Sequence, residues 1–186
     1  MKRIGTRRLE TDRLILRRFT VEDAADMYRN WASDPEVTRY LTWPCHVSAE
    51  ATAKLLEAWV ERYGDGGYFN WAIQLRETGS VVGSISAVKL DENVNAAEIG
   101  YCLSRVCWGR DIMPEALRAV MDELFAHAEI NRIAAYHDAN NPKSGRVMQK
   151  AGMQYEGRHR QAGKNNQGIC DLVCYAALRE DFRAAE

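Results

Sequence analysis

Three extended runs stand in series between residues 68 and 103: "YFNWAIQL" (68 to 75), "SVVGSISAVKL" (80 to 90) and "NAAEIGYCL" (95 to 103). Only the short turns "ETG" and "DENVN" separate them, and connections that short join neighbouring strands antiparallel. The middle of the chain is therefore an antiparallel meander on which everything else has to pack. Upstream, "RLILRRF" (13 to 19) alternates as a further strand. "TVEDAADMYRNWA" (20 to 32) reads as a helix capped by Thr20, with Asp23 in its first turn and Asp34-Pro35 as the break after it. "SAEATAKLLEAWVERY" (48 to 63) is a second helix with Ser48 as its cap, ended by "GDGG". Downstream of a third helix come a strand "RIAAYHD" (132 to 138), a short helix "KSGRVMQKAG" (143 to 152) stopped by Gly152, and two last strands, "MQYEGRHR" and "GICDLVCYAAL". The pattern predicts a mixed α/β sandwich. No repeat, low-complexity tract or shift in composition divides it, so residues 1–186 are expected to form one domain.

Composition narrows the function classes. With 46% hydrophobic and 27% charged residues, 186 residues suit a globular chain able to bury a sizeable core. A formal net charge of -1 supplies no electrostatic reason to expect a nucleic-acid partner. The basic N-terminus "MKRIGTRRLETDRLILRRF" lacks the apolar segment of a signal peptide, and no later run is long enough to span a bilayer. A cytoplasmic chain with no membrane partner is expected. The five cysteines, 45, 102, 107, 170 and 174, form no CxxC pair and suit reduced core thiols. His46, His127, His137 and His159 have no metal-ligand spacing, and no metal is expected.

The third helix opens on "VCWGRDIMPEALRAV" (106 to 120). Ala116, Leu117, Val120, Met121, Leu124 and Phe125 recur at the spacing that lines one face of a helix. Pro114 fits the first helical position and Glu115 the favourable first turn, which places the start near Met113. Just before it, Trp108, Gly109, Arg110 and Asp111 form a turn whose N–H groups are free to face one bound anion. The alternative is an ordinary loop-to-helix junction with an exposed arginine.

"AEIGYCL", then "WGRDIMPEALRAVMDELF", then "RIAAYHDANNPKSGRVMQKAGMQYEG" is an order that resembles the GNAT superfamily of acetyl-CoA-dependent N-acetyltransferases. The likeness is greatest to the Rim-type branch that acetylates N-termini of ribosomal proteins, and it covers nearly the whole chain. It implies the GNAT α/β fold, a mostly antiparallel twisted sheet with one splayed parallel pair, here the runs 97 to 103 and 132 to 138, flanked by helices. It implies acetyl-CoA as co-substrate, its pyrophosphate held by N–H groups from Gly109 to Met113 in the loop of Trp108, Arg110, Asp111 and Ile112. It further implies that main-chain groups of Cys102 and Leu103 pair with the pantetheine amides and that Asn141 bonds the cofactor. On local grounds Asn141 reads equally as a turn residue before Pro142. One departure stands out: the family pattern has glycine where this chain has Asp111. A carboxylate there opposes the pyrophosphate unless it turns away or pairs with Arg105 or Arg110.

Acyl transfer to an amine needs a route for the amine proton and a donor for the departing thiolate. Glu98, by the resemblance, is the base, acting directly or through water; otherwise it is a solvated or ion-paired strand carboxylate. Ser144 matches the Rim-type serine that protonates the leaving sulfur, and it could also cap the short helix that follows. Many relatives use a tyrosine seven residues after the asparagine, where this chain has Met148. A main-chain N–H of the strand 98 to 103 would meet the oxyanion. Cys102 as an acyl-enzyme nucleophile is disfavoured, because no histidine stands at an activating spacing. Trp31, Tyr40, Trp43, Phe69 and Trp71 fall on the acceptor side, most as core and one or two as pocket lining. The acceptor is then a polypeptide N-terminus, with small-molecule amines or a catalytically idle acyl-CoA-binding domain as the alternatives. Related enzymes are often homodimers.

Overall fold

The computed structural model describes residues 1–183. One eight-stranded sheet runs through it: β1 Leu9–Glu10, β2 Leu14–Arg17, β3 Asn70–Leu75, β4 Val81–Asp91, β5 Ala96–Leu103, β6 Arg132–Asp138, β7 Gln154–Asn165 and β8 Gly168–Leu178. The strand order is β1-β2-β3-β4-β5-β6-β8-β7. β3, β4 and β5 form the expected meander, and β5 and β6 are the one parallel pair. The helices are α1 Ala24–Met27, α2 Pro35–Thr38, α3 Ala49–Arg62, α4 Ile112–His127, α5 Pro142–Lys150 and α6 Arg179–Arg183.

Alternation along the strands explains why both faces of the sheet are covered. Trp71, Ile73, Ile85, Ile99 and Leu103 point to the side of α4, where they join Leu117, Val120, Met121 and Leu124 in one core. Ala72, Val81 and Cys102 point the other way, onto Phe19, Met27, Trp31 and Leu56 beneath α1 and α3. The stripe read on α4 is the buried one: Ala116, Leu117, Val120, Met121 and Leu124 are fully inaccessible and Phe125 is 3% exposed. Burial of each large side chain contributes roughly 1.5–3 kcal/mol, so this stripe anchors the element whose N-terminus matters below.

The structure corrects three local expectations. α4 begins at Ile112, so Pro114 is its third residue and not its first. None of the first four N–H groups of a helix has an intrahelical partner, so proline is as harmless there as at the start. The helix expected over 20 to 32 is a 3-10 turn (Val21–Asp23), then α1, then a π turn (Tyr28–Ala32). Ser144 does not cap α5, because that helix starts at Pro142 with Asn141 as its cap. The acceptor-side aromatics divide as expected: Trp31, Phe69 and Trp71 are fully buried core, and Tyr40 and Trp43 line the cleft. No helix among the described residues is long and apolar enough to cross a membrane.

Candidate active site

β5 and β6 pair only at Ala96 with Arg132, Ala97 with Ile133 and Glu98 with Ala134, and then separate. The gap opens into a cleft of about 1600 Å³. Glu98, Cys102, Leu103, Trp108, Gly109, Asp111, Ile112, Met113, Asn141 and Ser144 all line it; the exposed Arg110 does not. Strand alternation decides which main-chain groups open onto the gap. Asn95 C=O accepts from Asn131 and Arg132 on the β6 side, and Ser104 N–H donates to Val82 C=O on the β4 side at 2.7 Å. Odd-numbered residues of β5 therefore face the gap and even-numbered ones face β4. Cys102 turns its main chain to β4, away from any ligand in the gap, while Tyr101 and Leu103 face it. The Leu103 carbonyl is already taken by the Trp108 indole N–H at 2.9 Å, which leaves its N–H.

At the mouth of the gap the loop before α4 runs through two left-handed residues, Gly109 (φ 73°) and Asp111 (φ 57°). A glycine is the usual occupant of such a position, and aspartate is among the few side chains that tolerate it. Among the described residues, no protein group accepts from the N–H groups of Gly109, Arg110, Asp111, Ile112 or Met113. Arg13 orients them. Its guanidinium donates to the carbonyls of Arg110 (2.9 Å) and Asp111 (3.1 Å), and a planar peptide then aims the following N–H groups the opposite way. Glu115 holds Arg13 in place, accepting from its Nε at 2.6 Å and its backbone N–H at 3.1 Å, and also from Thr11 Oγ1 at 2.5 Å. The helix dipole and these donors together suit a pyrophosphate. Asp111 pairs with Lys150, not with Arg105 or Arg110; Arg105 goes to Asp34 at 3.0 Å. The like charge in the loop thus comes with its own counter-charge, supplied by the last turn of α5.

Inside the gap, Ser144 Oγ lies 3.0 Å from the Tyr101 hydroxyl, which also donates to the Ser144 carbonyl at 3.0 Å. α5 sits this close because residue 145 is glycine: a Cβ there would come 2.6 Å from His137 Nε2. Burial raises the Tyr101 phenol well above its usual pKa, so it keeps its proton and acts as a donor. Tyr101 was not singled out from the sequence, although a polar hydroxyl between Ile99 and Leu103 on the α4 side of β5 is the signal that would have found it. Glu98 lies on the cleft face of β5 beside an irregularity in β4 between Ala87 and Lys89, close enough to Tyr136 for its charge to add to the burial that raises that phenol. Among the described residues its carboxylate has no ion-pair partner. The Asn141 N–H donates to Asp138 C=O at 2.7 Å, while its side chain makes no bond to protein among those residues and lines the cleft. Burial pushes the Cys102 thiol up to about 11, against a weaker opposing bond from Ser84, so it is a packing thiol at neutral pH and not a nucleophile. No group of His, Cys, Asp and Glu that could hold a metal exists among the described residues.

A splayed parallel pair in an otherwise antiparallel sheet, with an anion cradle at its mouth and a carboxylate and two hydroxyls within, is the frame of an acyltransferase. The fold is shared with an acetyltransferase (GNAT family) from Bacillus anthracis, with a TM-score of 0.81 and 25% identity over 94% of this chain and 99% of that one. The profile of the acetyltransferase (GNAT) domain matches residues 13–154, and the chain belongs to that family. It is 31% identical over 171 residues to the uncharacterized N-acetyltransferase YoaA of Bacillus subtilis (strain 168), covering 92% of this chain and 96% of that one. It is 30% identical over 139 residues to the ribosomal-protein-serine acetyltransferase of Escherichia coli (strain K12), covering 74% and 76%. GNAT acetyltransferases use acetyl-CoA, and the chain is an acyltransferase of that kind.

Proposed function

We propose that the protein moves the acetyl group of acetyl-CoA to a primary amine by direct attack within a ternary complex. One observation carries this reading: Glu98 and the Tyr101–Ser144 hydroxyl pair line a single cleft whose mouth is a run of five uncommitted N–H groups. The N–H groups of Gly109 to Met113 hold the pyrophosphate, and Tyr101 and Leu103 take over the main-chain pairing expected of Cys102. An amine arrives as an ammonium ion, without a lone pair. Glu98 removes one proton, directly or through a water, and the freed nitrogen attacks the thioester carbonyl. The C–N bond forms, a gap-facing main-chain N–H of β5 meets the oxyanion, and the C–S bond breaks as the tetrahedral centre collapses. Ser144, whose hydroxyl at rest donates to the Tyr101 oxygen because the Tyr101 proton lies on the Ser144 carbonyl, turns to protonate the departing sulfur and is reprotonated by the second proton of the attacking nitrogen. Of the two protons the amine gives up, one ends on the thiol and one leaves by Glu98.

The E. coli relative's name supports a polypeptide N-terminus as acceptor, and the aromatic acceptor wall described below supports a small amine. The idle acyl-CoA-binding reading was motivated by Asp111, and the pairing of that carboxylate with Lys150 weighs against it. Calorimetric titration with acetyl-CoA, together with thiol release in the presence of amines, tests the proposal. Binding in the micromolar range, on the order of -8 kcal/mol, is expected. Glu98→Gln should lower kcat by about a hundredfold or more and leave acetyl-CoA affinity intact; an unchanged kcat refutes Glu98 as the base.

A further inference from the structure

The acceptor half of the cleft has a chemistry of its own. Its wall is formed by residues 39–47 and by α3, presenting Tyr40, Trp43 and Trp59, all half-buried. The wall is pinned from across the molecule: Asn166, in the β7–β8 turn, donates its side-chain amide to the carbonyls of Thr38 and Trp43, both at 2.8 Å. Its backbone N–H donates to Leu41 C=O at 3.2 Å. Negative charge is scarce here. Of the four carboxylates that line the cleft, Asp111 is paired with Lys150, and Asp138 accepts from Asn140 N–H and the Asn165 amide, both at 2.7 Å. That leaves Glu98 inside and the exposed Glu36 at the rim, where Arg39 lies over the Tyr40 ring. A polyamine, which needs several spaced carboxylates, is poorly matched by such a wall; a single amine on a flat apolar body is well matched.

His46 adds one polar group to this wall, and proton counting shows which. Thr52 has one hydroxyl proton and gives it to the Ser48 carbonyl at 3.1 Å. A hydroxyl whose proton lies on Ser48 accepts from His46 Nδ1, 2.8 Å away, and in the tautomer that matches it Nδ1 carries the hydrogen and Nε2 presents its lone pair. Partial burial lowers the pKa of the imidazole, which favours this neutral form at pH 7. The ring is held by its backbone N–H on Ala32 C=O (2.9 Å), stands 5.3 Å from the Trp43 ring, and lines the cleft. Among the described residues no protein group donates to Nε2.

We propose that His46 determines acceptor specificity, and that the acceptor is an amine borne on a flat aromatic body with one further N–H or O–H group, which His46 Nε2 accepts. The proposal rests on the acetyl-transfer reading above and names its substrate class. Thiol release from acetyl-CoA is measured with tyramine, tryptamine, phenylethylamine, spermidine and a serine-initiated peptide. The aromatic amines are expected to exceed spermidine and the peptide in kcat/KM by about tenfold or more, and tyramine or tryptamine to exceed phenylethylamine, which lacks the second donor, by roughly fivefold. In His46→Asn the amide can still donate to Thr52 but nothing replaces Nε2. That variant should erase the advantage over phenylethylamine without changing KM for acetyl-CoA, and His46→Gln, which offers an amide oxygen, should restore part of it. Preference for spermidine or the peptide, no advantage of a second donor, or an equal loss for all amines in His46→Asn overturns the inference. Binding of acetyl-CoA with no release in the presence of any amine overturns the acetyl-transfer reading itself.

Discussion

Replacing Lys150 by methionine leaves the Asp111 carboxylate without its partner beside the cradle for the pyrophosphate. Like unit charges a side chain's length apart repel by about 1–2 kcal/mol at the dielectric of a protein surface. Both side chains are about half exposed, 55% and 54%, so solvent screening holds the figure to the lower end of that range. Acetyl-CoA binding should therefore weaken by roughly fivefold. Calorimetry in low salt measures this directly, and the loss should shrink as ionic strength rises and the Debye length falls. A double-mutant cycle separates charge from packing. In an Asp111→Gly background, where the left-handed residue is glycine and the carboxylate is gone, Lys150→Met should cost much less than in the parent. An unchanged affinity in Lys150→Met, or an equal loss in both backgrounds, refutes the argument that Lys150 acts by neutralising Asp111.

Ser144→Ala and Tyr101→Phe should each lower kcat with little change in KM for acetyl-CoA, and the double variant should lose less than the product of the two, since the hydroxyls act as a pair 3.0 Å apart; steady-state kinetics decides. Arg13→Met should release the carbonyls of Arg110 and Asp111 and raise KM for acetyl-CoA by about tenfold while sparing kcat, because the cradle loses its preset orientation. Cys102 should resist alkylation in the folded protein at pH 8. Its folded pKa of about 11 lies above the 9.0 of the free thiol, so the folded state keeps a proton that the unfolded chain loses. That stability contribution is fully present below about pH 9 and is lost as pH rises towards 11, with the raised Tyr63 and Tyr68 phenols adding loss of the same sign above pH 10; denaturant titrations at pH 8 and 10.5 test the sign.

Several parts of this molecule were legible in local pattern. Alternation located β3, β4, β5 and β6 almost to the residue, and the helical stripe from Ala116 to Phe125 named the buried face of α4. Family likeness carried Glu98, Ser144 and the loop before α4 to one site, and the structure brings them to one cleft. Other features were misread because local signals were ambiguous. Pro114 is equally at home anywhere in the first helical turn, and the run 20 to 32 keeps one apolar spacing through a 3-10, an α and a π turn.

What no local reading supplied is partnership. Tyr101 meets Ser144 across 43 residues, Lys150 meets Asp111 across 39, Arg13 reaches Arg110 and Asp111 across 97 and 98, and Asn166 pins Trp43 across 123. Periodicity reports which face of a strand or helix is apolar, and capping reports where it ends. Neither reports which distant element lies opposite, because that depends on how all the buried faces pack together at once. The sequence by itself determined the elements, their order and the chemistry on offer. Tertiary packing alone decided that the parallel strands splay after three residue pairs, that an aspartate in a glycine position is neutralised, and which hydroxyls, carbonyls and N–H groups face the gap.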